Sequence, residues 1–209
     1  MTHDKAASWA YAEEIVTEPE LMAQARSEAA ELGISPVSPA TGQFLATVAS
    51  MPHIRTIAEI GTGTGLSGLY MLLASSTASL TTIDIESEAQ NYARDFFNKA
   101  GVRTSRYRVI NGRSADLLPR LAKESYDLVV IDGDPLEAEG DVHEAVRMLR
   151  SGGILVITHA LYHDRVADPA RRDEVTVALR NLGQTVMDLD ELSASLLPLG
   201  DGLIFAVKQ

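Results

Sequence analysis

The 209-residue chain, 45% hydrophobic and 22% charged, has enough length and apolar content to bury a core on both faces of a sheet within a single domain spanning 1–209. Its formal net charge of −11 argues against a nucleic-acid partner, which needs a basic face, and the absence of cysteine excludes disulfides, thiolate nucleophiles and Cys-based zinc sites. The leading MTHDKAASWAYAEE lacks a secretory pattern and no apolar run reaches the length of a membrane span, so the expectation is a cytoplasmic protein with no membrane partner.

The first 50 residues read as helices: SWAYAEEIV, PELMAQARSEAAEL and, after a proline-marked turn, PVSPATGQFLATVAS. A helical cap on a sheet is the simpler expectation for them; a lid over a ligand pocket or a dimer contact is the alternative. From Thr56 onward short apolar runs alternate with amphipathic stretches. TIAEIG (56–61) reads as a strand, Gly65 to Ala74 as a buried helix and SLTTID (79–84) as a second strand. Across 86–100, Ala89, Ala93, Phe96, Phe97 and Ala100 fall at helical spacing, and Gly101 stands where a helix-ending glycine belongs. RYRVING (106–112) reads as a third strand, with Arg103, Arg106 and Arg108 alternating on its solvent side, followed by a short helix through Leu117, Leu118 and Leu121.

YDLVVID (126–132) carries an unbroken apolar run from Leu128 to Ile131, which suits a central parallel strand buried on both faces. A helix over 140–150 places Val142, Val146 and Leu149 on one face and ends at Ser151-Gly152-Gly153; ILVIT (154–158) follows as the fifth strand. The loop HALYHDRVADPARRD leads to a helix over 174–187. In the tail, LLPLGDGLIFAVK, apolar runs flank Gly200-Asp201-Gly202, and Asp-Gly signals a hairpin. Together these elements predict a Rossmann-like α/β fold: a doubly wound, mostly parallel seven-stranded sheet with an antiparallel C-terminal hairpin, and a helical cap (1–50) ahead of the core (56–209).

The stretch AEIGTGTGLSG, from Ala58 to Gly68, is a strand breaking on a glycine turn into a helix. Glycines there allow positive φ and close approach of a ligand, and the helix N-terminus offers unpaired N–H groups. Read from Gly61 the run is G-x-G-x-G, which suits an S-adenosylmethionine site; read from Gly63 it is G-x-G-x-x-G, a dinucleotide fingerprint. The first frame directly follows the strand. Glu59, an acid beside the turn, suits an amino-acid ammonium and would repel a pyrophosphate. The second frame keeps a nicotinamide-dependent oxidoreductase as a lesser alternative.

Open α/β sheets bind ligands at the carboxyl ends of their strands. The polar residues there are Glu59 and Gly61, then Asp84, Ser114 and Asp116, Asp132 and Asp134, and Thr158 and His159. Asp84, about 20 residues beyond the turn, can accept hydrogen bonds from both ribose hydroxyls, or else cap the following helix.

The segments AEIGTGTGLSGLYMLL, TTIDIE, YDLVVIDGDP, RSGG, RVADPARRDEVTVALR and LLPLGDGLIFAVK, in this order, resemble the S-adenosylmethionine-dependent O-methyltransferases of the catechol and caffeoyl-CoA type, with an actinobacterial flavour. The resemblance runs from about Val37 to Lys208, and LPLGDGL is its bacterial tail signature. It implies transfer of a methyl group to an oxygen of a small phenolic or hydroxylated acceptor, by a homodimer joined through the N-terminal helices and the hairpin. It also implies roles for single residues. Val37, Glu59, Gly61, Thr62 and Ser67 match the methionine end of the cofactor site. Asp84 matches the ribose-binding acid, Ile85 the residue against the adenine face, and Ser114-Ala115 the adenine edge. Asp132 matches the acid that lies near both the cofactor and a divalent cation.

The chain departs from the family where catalysis sits. Pro135, in IDGDP, occupies the position of the family's catalytic lysine, and Thr158-His159 stand where the family has Asp-Asn to complete the cation site with Asp132. One carboxylate, one hydroxyl and one imidazole make a poor Mg²⁺ site, so the expectation is no metal, with Asp132, Thr158 and His159 the only candidates for one. His159, with Asp132, is the candidate catalytic residue: a general base or a ligand for a softer metal, or else a replacement in a site that no longer needs a metal. The departures also leave open a protein that binds S-adenosylmethionine or its product without efficient turnover. Tyr162 reads as pocket lining or packing, and His3, His53, His143 and His163 as surface residues.

Overall fold

A computed structural model of the protein describes residues 5–209, so His3 lies outside the described residues. Three helices, α1 (Lys5–Glu14), α2 (Glu20–Glu31) and α3 (Pro39–Ala49), precede the sheet. The strands are β1 (Thr56–Ile60), β2 (Ser79–Asp84), β3 (Tyr107–Asn111), β4 (Tyr126–Ile131), β5 (Leu149–Ile157), β6 (Leu192–Leu197) and β7 (Leu203–Lys208), in the order β3-β2-β1-β4-β5-β7-β6. β1 to β5 are parallel; β7 runs antiparallel to both β5 and β6, which leaves β6 on the edge. The strand order reverses between β1 and β4, and that switch point opens a crevice at their carboxyl ends.

Alternation along each strand divides the core. Ile57, Leu128, Val130 and Val156 face one side, where α3, α4 (Leu66–Ala74) and α5 (Ser87–Lys99) cover them with Leu45, Leu69 and Phe97. Ala58, Ile60, Val129 and Ile131 face the other, under α7 (Ala138–Met148) and α8 (Glu174–Asp188), which contribute Val142 and Leu179. Each side chain of the 128–131 run thus meets a helix layer on one face or the other, as an apolar strand without alternation requires. A short α6 (Ser114–Leu117) follows β3.

The N-terminal helices divide into two kinds. Met22 and Ala25 of α2 and Leu45 and Val48 of α3 enter the core, so these two helices are a cap. Glu18 ties them to the core: it accepts from Arg26 Nε at 2.8 Å and from the Tyr70 hydroxyl at 2.8 Å. α1 buries none of its residues and exposes Trp9 and Tyr11.

Four expectations are corrected. β5 begins at Leu149, not 154, so the helix before it ends at Met148 and Ser151-Gly152-Gly153 lies inside the strand; a register shift between Tyr126 and Leu128 of β4 absorbs the irregularity. Arg106 does not point from a strand to solvent: it ends a 3₁₀ turn (Thr104–Arg106), and its guanidinium donates to the Ala78 and Leu72 carbonyls at 2.9 and 3.1 Å and to that of Ser75. These bonds satisfy carbonyls around the end of α4, where a helix leaves acceptors open. β6 starts at Leu192, earlier than the tail motif suggests. The hairpin closes through residues 198–202 rather than a two-residue Asp-Gly turn, so that Gly200 packs on α3: a Cβ there would stand 2.4 Å from Thr41 Oγ1.

Candidate active site

The glycine turn works as a close approach between strands. The Gly61 N–H donates to the Ile83 carbonyl at 2.9 Å, and the Asp132 N–H donates to the Ile60 carbonyl at 2.8 Å, carrying the β1 pairings with β2 and β4 past the strand ends. Gly61 has φ of 93°, and a Cβ on it would lie 2.1 Å from the Asp132 carbonyl oxygen. Only glycine lets the two chains meet at the mouth of the crevice.

Asp84 secures the turn from β2. Its Oδ2 accepts from the Gly63 N–H and its Oδ1 from the Glu86 N–H, both at 2.9 Å, so one carboxylate fixes the glycine turn and the loop leading into α5. The residue that begins α5 as its cap is Glu86, not Asp84. A cleft of about 240 Å³ opens here, lined by Gly61, Asp84, Ile85, Gly112, Ser114 and Gly133. Its wall is acidic, with Asp84, Glu86, Asp132, Asp134 and Glu137 all facing in. Ile85, 61% exposed, offers an apolar surface at its rim. Ala115 is exposed beside Ser114 and off the lining.

Glu59, Thr62 and Ser67 lie beneath this cleft rather than on its wall. Glu59 Oε2 accepts from the Thr82 hydroxyl at 2.6 Å; Thr82 shares a hydrogen bond with the Thr62 hydroxyl at 2.8 Å; and Gln90 Nε2 donates to Thr62 at 3.2 Å and to the Ile110 carbonyl at 2.8 Å. Glu59 Oε1 is buried without a hydrogen-bond partner. Burial pushes the Glu59 carboxyl up to about 8, against the opposing pull of the Ser67 and Thr82 hydroxyls. Glu59 is off the cleft lining, so the carboxylates a pyrophosphate would meet there are those of the wall, Asp84, Glu86, Asp134 and Glu137. The dinucleotide frame also loses a donor, since the Gly63 N–H is held by Asp84.

A second cleft, of about 330 Å³, shares no lining residue with the first. Arg26 of α2, Val37 and Thr41 at the start of α3, and Thr158, His159, His163 and Asp201 line it. It adjoins a larger hollow of about 580 Å³ through Ser38, Pro39, His163 and Asp201, and that hollow reaches Trp9, Leu161 and Pro198. Tyr162 packs against the α7–α8 side of the core, with the Arg165 guanidinium over its ring, and does not line these clefts. His163 does line them; His53 and His143 are exposed.

A chain of polar groups links Asp132, on the wall of the first cleft, to Thr158, His159 and Asp201, on the wall of the second. Asp132 Oδ1 accepts from the Thr158 hydroxyl and lies 3.5 Å from His159 Nε2. On its other side, His159 Nδ1 is 3.2 Å from Asp201 Oδ2, and Asp201 Oδ1 accepts from the His163 N–H at 2.5 Å. Burial holds the Asp132 carboxyl above its ordinary range, opposed by His159 and by the Thr158 hydroxyl. Asp201 is the site residue that sequence reading missed: its Asp-Gly context announced a turn, while its partners lie about 40 residues earlier.

The family's cation can be tested against these groups. Asp132 Oδ1 is engaged by Thr158, the next group is an imidazole, and no carboxylate completes the set; among the described residues no group of three or more His, Cys, Asp or Glu side chains is arranged around a metal. Mg²⁺ prefers oxygen ligands in a near-octahedral set, and the residues present do not fit it.

At the far end of the first cleft, Ser114 Oγ donates to Glu137 Oε2 at 3.3 Å, and Arg113 pairs with Glu137. Behind it, burial raises the Asp141 carboxyl to about 6, with the Ser114 hydroxyl opposing.

With this geometry the chain compares closely with known proteins. A sequence model of the family described as O-methyltransferase matches residues 12–209. A Mycobacterium ulcerans relative carrying an O-methyltransferase name is 42% identical over 200 residues, which cover 95% of this chain and 89% of that protein. A solved Corynebacterium glutamicum protein superposes with a TM-score of 0.87 at 36% identity, covering 95% of this chain and 94% of that one. The O-methyltransferase TomG of Streptomyces achromogenes, solved in complex with SAM, shares the fold with a TM-score of 0.85 at 23% identity, with all of both chains covered. The chain belongs to the O-methyltransferase family.

Proposed function

We propose that this enzyme transfers a methyl group from S-adenosylmethionine to an oxygen of a small phenolic or otherwise hydroxylated acceptor, without the family's Mg²⁺ site. The observation that carries the reading is the first cleft: an acidic wall with a glycine turn at one end and exposed Ile85 at its rim. Carboxylates on the wall favour a cationic sulfonium and disfavour a pyrophosphate. The fold shared with TomG, which holds SAM, supports the same cofactor here.

In this reading the cofactor's methionine end lies toward Gly61-Thr62, above Glu59 and Ser67, with the Val37 backbone closing the site from α3. Asp84 takes the ribose hydroxyls, Ile85 covers the adenine face, and Ser114 borders its edge, with Ala115 next to it outside the cleft lining. When bound, S-adenosylmethionine supplies an electrophilic methyl group. The second cleft receives the acceptor, and Asp132, on the wall of the first cleft, keeps its hydroxyl near the methyl donor; much of the rate then comes from orientation. The protein acts as a homodimer in the cytoplasm.

The test is calorimetry with S-adenosylhomocysteine and with NADH. The reading expects 1:1 binding of S-adenosylhomocysteine that weakens at least tenfold in Asp84→Ala, and no binding of NADH. Binding of NADH alone would replace it with the oxidoreductase reading.

A further inference from the structure

We propose that His159 and Asp201 form a proton-accepting dyad: His159 Nε2 takes the acceptor's hydroxyl proton, and Asp201 is the positioning residue that makes this nitrogen available. The proposal rests on the functional reading above and extends it to Asp201.

Asp201 sets the tautomer of His159. A carboxylate only accepts hydrogen bonds, and of the two beside the ring only Asp201, with Oδ2 3.2 Å from Nδ1, makes one; Asp132 Oδ1, 3.5 Å from Nε2, does not, so the ring hydrogen belongs on Nδ1. Nε2 is then left with a lone pair. It is buried, has no hydrogen-bond partner, and belongs to a residue on the wall of the second cleft. A basic nitrogen without a hydrogen-bond partner, on a side chain 27% exposed in the wall of the second cleft, is completed when an acceptor hydroxyl bound there supplies the missing hydrogen.

The backbone around it is held in an uncommon shape. His159, Tyr162, His163 and Asp164 all have positive φ, between 47° and 61°. Such conformations are costly for these residues and persist where surrounding contacts impose them. The hairpin turn imposes them here: the Ala160 N–H donates to the Gly202 carbonyl at 3.0 Å, the Leu161 N–H to the Asp201 carbonyl at 2.8 Å, and the His163 N–H to Asp201 Oδ1 at 2.5 Å. The tail motif is therefore a clamp that aims the imidazole.

The charged groups facing the ring are known from every side. Asp132 Oδ1 lies 3.5 Å from Nε2 and stabilises the imidazolium once the proton arrives. Asp201 flanks Nδ1, and His163 Nδ1 lies 3.9 Å from the same Asp201 oxygen. Arg26, across the cleft, is neutralised by Glu18.

In the step itself the acceptor O–H bond breaks and its proton forms an N–H bond with the Nε2 lone pair. The electron pair left on oxygen forms the bond to the methyl carbon, while the C–S pair stays on sulfur. The proton passes to water after the product leaves. The positive charge of the sulfonium ends on the imidazolium, and the step balances without a metal ion.

The test is Asp201→Asn. The variant keeps an acceptor for the His163 N–H but turns an N–H toward Nδ1, which moves the ring hydrogen onto Nε2 and removes the base. The expected result is a kcat lower by about 100-fold or more, with KM and S-adenosylhomocysteine affinity within about threefold of wild type. The rising limb of the pH–kcat profile should disappear. Nitrogen-15 NMR of the imidazole, assigned by its loss in His159→Gln, should show the Nδ1–H tautomer in wild type and the Nε2–H tautomer in the variant. Should Asp201→Asn not fold, the wild-type spectrum still decides: an Nε2–H tautomer overturns the dyad. An unchanged kcat in the variant, or wild-type activity that vanishes in EDTA and returns with Mg²⁺ or Zn²⁺, overturns it as well. If no acceptor is methylated while the wild-type tautomer is Nδ1–H, the functional reading fails and the geometry of the dyad stands.

Discussion

Glu59 carries a charge state that its position in the sequence does not reveal. An acid ending a strand beside a glycine turn is legible from residues 58–61, and so is its kinship with a ligand site. Its protonation is not, because that depends on Thr82 and Ser67 from other elements and on complete burial. The folded value of about 8 lies above the ordinary 4.5, so the folded state holds a proton that the unfolded chain gives up. Stability from this group is full below 4.5 and is lost as pH rises through 8. Urea unfolding of the ligand-free protein between pH 5 and 8 should therefore show a contribution that falls by up to about 1.4 kcal/mol per pH unit. Glu59→Gln should flatten that slope; an equal slope in the variant would place the charge elsewhere. Asp201 shows the same limit of sequence reading more sharply, since its role exists only once the hairpin folds back on residues 159–163.

Among the elements, strands and helices whose pattern is local were legible, and boundaries that depend on partners were not. The 128–131 run announced its double burial because apolar residues at every position have no other use. β5 gained its early residues by pairing Leu149 with Tyr126, and Arg106 left the expected strand to cap carbonyls around the end of α4; both are tertiary effects. Asp127 is a further one. Burial raises its carboxyl, but the Arg55 and Thr56 N–H groups, the Thr56 hydroxyl and Arg150 more than offset this and hold it below its ordinary range, tying the start of β1 to β4 and β5. α1 stands apart, with no buried residue and with Trp9, at 47%, and Tyr11, at 65%, exposed; on the edge strand β6, Leu196 is exposed too. These faces fit the homodimer proposed above. Light scattering in solution should give twice the mass of one chain, falling toward one chain in Trp9→Glu/Tyr11→Glu; a wild-type protein at single-chain mass would refute it.

For the whole molecule, the order of strand–helix units was enough to foresee a mostly parallel sheet with an antiparallel end, because each connection is short and local. It was also enough to foresee a cleft at the carboxyl ends of the strands, where the strand order reverses. The second cleft, proposed above for the acceptor, was not legible. It is assembled from α2, the start of α3, the loop after β5 and the hairpin turn, segments that carry little pattern of their own. That division parallels the proposal above, in which the first cleft takes the cofactor and Thr158, His159 and Asp201 line the second. The most direct measurement is transfer of labelled methyl from S-adenosylmethionine to a panel of phenols, catechols and hydroxylated acids, by protein dialysed against EDTA. The account expects at least one acceptor to be O-methylated at an undiminished rate, with the label lost in His159→Gln. Turnover that appears only when Mg²⁺ is restored, or saturable cofactor binding with no label transferred to any acceptor, would contradict it.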